Sequence, residues 1–339
     1  MQYNFLGNTG LRISEIVFGT QTFGWNLDDE GAFELLDYYY DQGGNYLDSA
    51  DKYNAGESER ILGEWLKRRG VRDELVIGTK VFFPTGEGAN DQGHSRKHIL
   101  QSIDESLSRI GTDYVDLYQL HCFDEATPLE ETMSALSDLL RNGKIRYYGL
   151  SNFTPSQIMK VIYLARDLNM RPPASLQLEY SLQVRSPEWE LLPVCHGEGI
   201  GTIAWSPLAG GWLTGKYRRD QEAPADSRVG RRDRWDDQPE QRASERTWNI
   251  IDELVSIGEQ RGVPPSQAAL NWLRRQEWMT APIVGARNLE QLRANLGAVS
   301  WDLTEDEFER LSRASHIDTP SPYNFIARYT RHRKGRRLQ

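Results

Sequence analysis

Eight times along the chain a short apolar or β-branched run is followed by a longer amphipathic one, and few folds accommodate that rhythm. The short runs, Ile16–Phe18, Tyr46–Asp48, Leu75–Lys80, Val115–His121, Tyr147–Ser151, Ser175–Glu179, Gly201–Ala204 and Pro282–Val284, read as strands. Several of the intervening segments carry helix punctuation. Asp28–Gln42 starts on an Asp cap and stops before Gly43-Gly44. Ser58–Arg69, Ser95–Ile110 and Leu129–Asn142 stop before Gly70, Gly111 and Gly143, and Thr154-Pro155 opens a further helix with proline at its first position. Parallel neighbours need long crossovers, usually helical. Eight strands alternating with helices over roughly 300 residues therefore predict a closed eight-stranded parallel α/β barrel. An open dinucleotide-binding sheet would carry Gly-x-Gly-x-x-Gly after its first strand, and Gly19-Thr20-Gln21-Thr22-Phe23-Gly24 does not supply it.

Three segments lie outside the eightfold count. The first 13 residues read as a β-hairpin turning at Gly7-Asn8-Thr9-Gly10. Residues 206–243 form a long loop after the seventh strand, charge-balanced and dense in Arg, Asp and Pro. Residues 1–317 thus form one domain, and 318–339 a basic tail that reads as a solvated, partly disordered end. From Arg328 onward there are six basic groups and no acid, although the whole chain has a formal charge of −9. That balance argues against general nucleic-acid binding. The longest uncharged run, Gly199–Gly215, is interrupted by Pro207 and several glycines, so no membrane span is expected. Met1-Gln2-Tyr3-Asn4 shows no signal-peptide pattern, and two cysteines, Cys122 and Cys195, suggest a reducing compartment; the cytoplasm is the expected location.

In a barrel of this kind the chemistry sits at the carboxyl ends of the strands. The second strand ends at Asp48, with Tyr53 in the loop beyond; the third ends at Lys80 and the fourth at His121. Singly, each has a plainer role: a turn-forming Asp, a solvated Lys, a wall His, a packing Tyr. Together they describe proton delivery to an oxygen. A phenol of ordinary pKa about 10 is a poor acid at neutral pH, and an adjacent ammonium favours its anion. A carboxylate beside that ammonium makes its burial tolerable. No obvious nucleophile and no zinc-binding spacing accompany the set, so the electrons must come from a cofactor.

Linked motifs extend this picture. Asn45-Tyr46-Leu47-Asp48-Ser49-Ala50 with Tyr53, Gly56-Glu57-Ser58-Glu59 and Leu62-Gly63, then Gly78-Thr79-Lys80, Gln119-Leu120-His121, Gly149-Leu150-Ser151-Asn152-Phe153 and Trp205-Ser206-Pro207-Leu208-Ala209-Gly210-Gly211, resemble the aldo-keto reductases. The resemblance runs from the hairpin to about residue 315. It implies Tyr53 as proton donor, Lys80 and Asp48 tuning its acidity, and His121 positioning a substrate carbonyl. It implies NADP(H) as cofactor, with Gly19, Thr20, Gln21 and Asp48 near it and Ser151, Asn152 and Gln177 on the nicotinamide carboxamide. Trp205, usually tyrosine in the family, would stack on the nicotinamide. Ser206, Leu208 and Gly210 would meet the diphosphate, and Lys216 would also bind the cofactor. Gly285, Arg287, Gln291 and Asn295 resemble the adenosine site, while Ala294 departs from a common adenine-contacting glutamate. Arg287 suits a 2′-phosphate, since guanidinium binds phosphate through paired hydrogen bonds, with capping of the helix entry as its plainer role.

The rim loops carry Phe23, Trp25, Phe82, Phe83, Phe123 and Trp212, and the tail adds Tyr323 and Phe325, so a ring-bearing substrate is expected. The reading that follows is NADPH-dependent reduction of an aldehyde or ketone, a small molecule, with neither nucleic acid nor membrane as partner. Two others stay open. The same residues would let a dehydrogenase oxidise an aryl alcohol or sugar hydroxyl with NADP+, and potassium-channel beta subunits of this family bind NADP(H) with little turnover. Monomer and homo-oligomer are equally open.

Overall fold

The expected alternation closes on itself. In the computed structural model, which describes residues 1–219, 221–225, 227–231 and 242–330, eight parallel strands form a closed barrel. They are β3 (Val17–Gly19), β4 (Tyr46–Asp48), β5 (Val76–Val81), β6 (Val115–Leu120), β7 (Ile145–Ser151), β8 (Ser175–Glu179), β9 (Gly201–Trp205) and β10 (Ala281–Val284). They pair in chain order, and β10 returns to β3 through Ile283 opposite Val17. Boundaries move by a residue or two. The fourth barrel strand stops at Leu120, although the His121 N–H still donates to the Val81 carbonyl at 3.0 Å.

The helices begin and end where local chemistry dictates. Asp28 caps Asp29–Asp41 by accepting from the Gly31 N–H at 3.0 Å, and Ser95 caps Arg96–Ile110 through the His98 N–H. Thr154 and Gln157 form a capping box at Pro155–Asp167, as do Thr304 and Glu307 at Glu305–Ala314. Gly70 and Gly111 end their helices in left-handed conformation, where a side chain would be strained. Between β9 and β10 the described residues include the short helix Arg228–Arg231 and the longer Glu245–Arg261 and Pro265–Arg274.

The hairpin, β1 (Tyr3–Phe5) with β2 (Arg12–Ser14), closes the amino-terminal end of the barrel. Its Leu6 and Ile13 are buried in one cluster with Val17, Tyr46, Val76, Leu117, Ile203 and Ala281 from the lower parts of the strands. Burying such a side chain contributes about 1.5–3 kcal/mol. Gly7, at φ +57°, allows the close approach, since a Cβ there would stand 2.4 Å from the Gly199 carbonyl oxygen. With the floor plugged, the site is confined to the carboxyl rim.

The tail departs from expectation. Tyr323–Thr330 is a helix, joined to the body by Tyr323, which stacks on Trp189 and donates to Glu190 at 2.6 Å. The rest of the basic segment, 331–339, and the core of the Arg/Asp/Pro stretch, 232–241, lie outside the described residues. Among the described residues no helix is long and apolar enough to cross a membrane.

Candidate active site

Three adjacent strands bring together the residues that the sequence proposes for proton transfer. Asp48 is the last residue of β4, Lys80 the penultimate residue of β5, and His121 follows β6 directly. Tyr53 opens a tight turn in which Asn54 and Ala55 are both left-handed, at φ 50° and 55°. Asn54 steadies that turn by donating to the carbonyls of Gln21 at 3.1 Å and Phe23 at 2.5 Å.

Lys80 is 0% exposed, so its charge must be met internally. Its Nζ donates to Asp48 Oδ2 at 2.5 Å, the Ser49 carbonyl at 2.7 Å and Tyr53 Oη at 3.2 Å, which uses all three ammonium hydrogens. Burial alone would lower its pKa; the Asp48 carboxylate and Tyr53 outweigh that and raise it. Lys80 is therefore an ammonium at neutral pH. Asp48 Oδ1 accepts from Gln119 Nε2 at 2.9 Å, Gln177 Nε2 at 3.0 Å and, more loosely, the Tyr46 hydroxyl at 3.4 Å.

Tyr53 corrects one expectation. Lys80 does favour the phenolate, but burial is the larger effect and the net pKa is raised above the ordinary value. The group is a protonated phenol at neutral pH. Its ring meets His121 edge-to-face with centroids 5.9 Å apart. His121 is held well below its usual pKa, first by burial and then by the Lys80 charge, so it is a neutral imidazole. Its Nδ1 is buried without a partner among the described residues, and Phe83 packs edge-on to its ring at 4.8 Å.

Gln177 and Thr20 are committed more inwardly than the resemblance implies. The Gln177 amide nitrogen goes to Asp48 and to Gln119 Oε1, which leaves its carbonyl oxygen for a ligand amide. Thr20 bonds Ser58 at 2.6 Å and donates to the Asp48 carbonyl at 3.2 Å, so it braces the loop. Gly19 ends β3 where a Cβ would stand 2.8 Å from Ile283, and the Gln21 main chain anchors Asn54. Ser151 is buried at the end of β7 beside Asn152.

After β9 the chain turns through left-handed conformations at Ser206, Ala209, Gly210 and Gly211. Within that turn Ala209 N–H donates to Ser206 O and Gly211 N–H to Leu208 O. The expected diphosphate contacts, Ser206, Leu208 and Gly210, alternate with these inward-bonded amides. Turns of this kind gather N–H groups into anion-binding concavities. Lys216 lies across the loop, its Nζ 2.7 Å from where a Cβ on Gly211 would be. On the far side, Gln291 Oε1 accepts from the Arg287 N–H at 3.1 Å and Asn295 donates to the Gly285 carbonyl at 3.3 Å. The helix Leu289–Leu296 is capped by Asn288, whose Oδ1 accepts from the Gln291 N–H at 2.9 Å. A left-handed turn with a lysine across it, an amide pair and an arginine-bearing turn present the donor types that a phosphorylated dinucleotide would need.

The aromatic wall is smaller than expected. Phe23 is fully buried and packs edge-on against Phe18, while Trp212 is buried against Tyr217 and Trp248. Both belong to the core because their loops fold back over it. Phe325 is 61% exposed and touches Tyr329, so it packs into no pocket. The rings that keep an open face are Phe82 and Phe83, in contact with each other, Phe123 against Phe153, and Trp25 at 41% exposure.

Two residues went unassigned in the sequence. Gln119 was visible only as part of a motif, yet it holds Asp48. Asp51 is buried, with no side-chain donor for either carboxyl oxygen among the described residues.

Comparison with known proteins agrees with this geometry. The model of the aldo/keto reductase family matches residues 15–316, the whole barrel without the β1–β2 strands or the tail helix. An uncharacterized oxidoreductase, YrpG, of Bacillus subtilis is 35% identical over 321 residues, covering 92% of this chain and 95% of that protein. Norsolorinic acid reductase of Aspergillus flavus and norsolorinic acid reductase A of Aspergillus parasiticus are each 31% identical over 332 residues, covering 94% of this chain and 82% of theirs. With the barrel closed, the buried Lys80–Asp48 pair in reach of Tyr53, and a match of this extent, the chain belongs to the aldo/keto reductase family of oxidoreductases, whose members typically depend on NAD(P)H.

Proposed function

We propose that the protein reduces an aldehyde or ketone to the alcohol with NADPH. The observation that carries this is the Tyr53 hydroxyl, 3.2 Å from the buried Lys80 ammonium, and burial holds the phenol's pKa above its ordinary value. When bound, the nicotinamide supplies the hydride. Tyr53 gives its proton to the carbonyl oxygen as negative charge develops there. Lys80, already donating to the phenol oxygen, stabilises the phenolate left behind, and Asp48 keeps that ammonium charged. His121, neutral, offers an N–H to the same oxygen and orients it. A phenol loaded with its proton favours reduction; the oxidative direction needs the phenolate and gains as pH rises.

Asn152, the carbonyl end of Gln177, Trp205, the loop from Ser206 to Gly211 with Lys216, and the turn at Gly285 and Arg287 would hold the cofactor. Arg287 supports NADPH over NADH, since only NADPH presents a 2′-phosphate. Phe82, Phe83, Phe123 and Trp25 support a ring-bearing substrate. Two relatives are named as reductases, in keeping with the reductive direction.

Stopped-flow NADPH oxidation with an aromatic aldehyde tests this reading. Tyr53→Phe should lose on the order of 10²–10⁴ in rate, while NADPH binding by fluorescence stays near wild type. Retention of more than half the activity would sink the assignment.

A further inference from the structure

Trp205 and Asn152 meet where the ends of four strands converge. Asn152 follows β7 in left-handed conformation, at φ 57°, which asparagine tolerates better than most residues. Its main-chain N–H donates to the Gln177 carbonyl on β8 at 3.2 Å. Its side-chain amide is engaged at both ends. Nδ2 donates to the His121 carbonyl beyond β6 at 2.9 Å and to Ser151 Oγ at 3.1 Å. Oδ1 accepts from the Trp205 indole N–H, at the end of β9, at 3.1 Å.

An asparagine amide is nearly symmetric in shape, so its hydrogen-bond partners decide which end points where. The His121 carbonyl, which can only accept, faces Nδ2 with the adaptable Ser151 hydroxyl beside it, and the indole donor faces Oδ1. Without the indole N–H, one of the contacts that opposes a flip is gone. A flipped amide would set Oδ1 against the His121 carbonyl oxygen, acceptor against acceptor. A tyrosine or phenylalanine ring at 205 could offer the same flat face but no N–H in that place.

We infer that Trp205 is a positioning residue: its indole N–H orients the Asn152 amide and through it holds the His121 segment, coupling the cofactor platform to the carbonyl-positioning histidine. The inference rests on the proposed roles of Trp205 and His121 for its effect on catalysis, but the hydrogen-bonded tie exists without cofactor and can be tested without it.

In the cofactor-free protein, the Trp205 indole ¹⁵N–¹H resonance is assigned by its loss in Trp205→Phe. Asn152→Ala should shift it, and Asn152→Asp, which keeps an oxygen for the indole, should shift it less. With NADPH and an aromatic aldehyde, Trp205→Phe should lower kcat about two- to tenfold, the size one neutral hydrogen bond carries, with NADPH affinity close to wild type because the ring face remains. Adding it to Asn152→Ala should cost little more, since both changes cut the same tie. An indole resonance that ignores both Asn152 variants overturns the inference, and so do losses that multiply in the double variant. A loss of NADPH affinity matching the loss in kcat would make Trp205 a stacking platform and nothing more. Wild-type protein that oxidises no NADPH would instead remove the proposed function and leave the tie to the resonance test.

Discussion

Two carboxyl groups three residues apart, Asp48 at the end of β4 and Asp51 in the loop beyond it, are equally buried, at 2% exposure each, and live in opposite electrostatic worlds. Asp48 receives the Lys80 ammonium on one oxygen and the Gln119 and Gln177 amides on the other. Asp51 has no side-chain donor for either oxygen among the described residues, and the Lys52 main-chain N–H is the one hydrogen-bonding group that favours its charged form. Around it stand Glu59, Arg109, Lys80, Tyr53, Tyr118 and the Lys52 main chain, with Glu105 lining the same small cavity. Arg109 is already engaged with Glu59 at 2.7 Å, so the guanidinium that favours the Asp51 carboxylate is shared with a second acid. Burial first, and the Glu59 charge second, push the Asp51 carboxyl up to about 8, and it is largely protonated at neutral pH. Depth alone does not decide whether an acid is charged inside this barrel. The donors gathered around it do.

The most severe way to break the contrast is to make Asp48 resemble Asp51. Lys80→Met removes the cation and leaves a buried carboxylate with only amide donors. Breaking a buried pair from one side costs about 3–5 kcal/mol. Denaturant unfolding should show a loss of that order, and the pH profile of reduction should change because Tyr53 loses the ammonium at its oxygen. A folded variant with unchanged stability and profile would show that Lys80 neither balances Asp48 nor tunes the phenol.

The converse change removes the lonely acid. Asp51 titrates at 3.8 in the unfolded chain and at about 8 when folded, so between these values the folded state holds a proton that the unfolded state has released. Stability contributed by that proton is complete below the unfolded value and is lost as pH rises toward the folded one. Wild type should therefore lose stability relative to Asp51→Asn from mildly acidic pH up to about 8, with the gap constant above that. Melting temperatures of the two proteins across that range measure it. Parallel curves would mean that Asp51 is ionised in the fold after all, met by groups the contrast leaves out.

How much of this could be read from the chain follows from what kind of information each feature needs. Strand ends are local: Asp48, Lys80 and His121 fall at the close of apolar runs, so their shared rim was legible once eight strands were counted. Tyr53 was legible as a residue of the loop beyond the second strand, but the left-handed turn at Asn54 and Ala55 that holds it was not. Net acidity was not, because Lys80 and burial pull the phenol in opposite directions and burial depth is a property of the assembled barrel. Phe23 and Trp212 look like any rim aromatic until their loops are seen folded onto Phe18 and onto Trp248. The tail's composition spoke of charge, and the Tyr323–Thr330 helix, with the tail joined through one stacked ring, leaves no burial pattern to find. Asp51 carries no signal in the sequence, since nothing in neighbouring residues announces that its side chain will be buried beside a second acid.

The smallest change tests whether the amides or the ammonium make Asp48 tolerable. Gln119→Leu removes the 2.9 Å donor to Oδ1 and also the acceptor that Gln177 Nε2 uses at 3.2 Å. Gln177 keeps its 3.0 Å bond to the same oxygen, and Lys80 keeps Oδ2. A hydrogen bond to a charged group contributes about 1.5–3 kcal/mol, and with Gln177 still in place the loss should fall at or below the lower end. Leucine is close to glutamine in volume, so little of the effect should come from a cavity. Chemical denaturation gives the stability change, and the pH profile of reduction should move less than in Lys80→Met because the ammonium still touches Tyr53 Oη. If Gln119→Leu proves as damaging as Lys80→Met on both measures, the carboxylate is held mainly by neutral donors. Asp51 would then differ from Asp48 in lacking amides, and the cation would be there for the phenol alone.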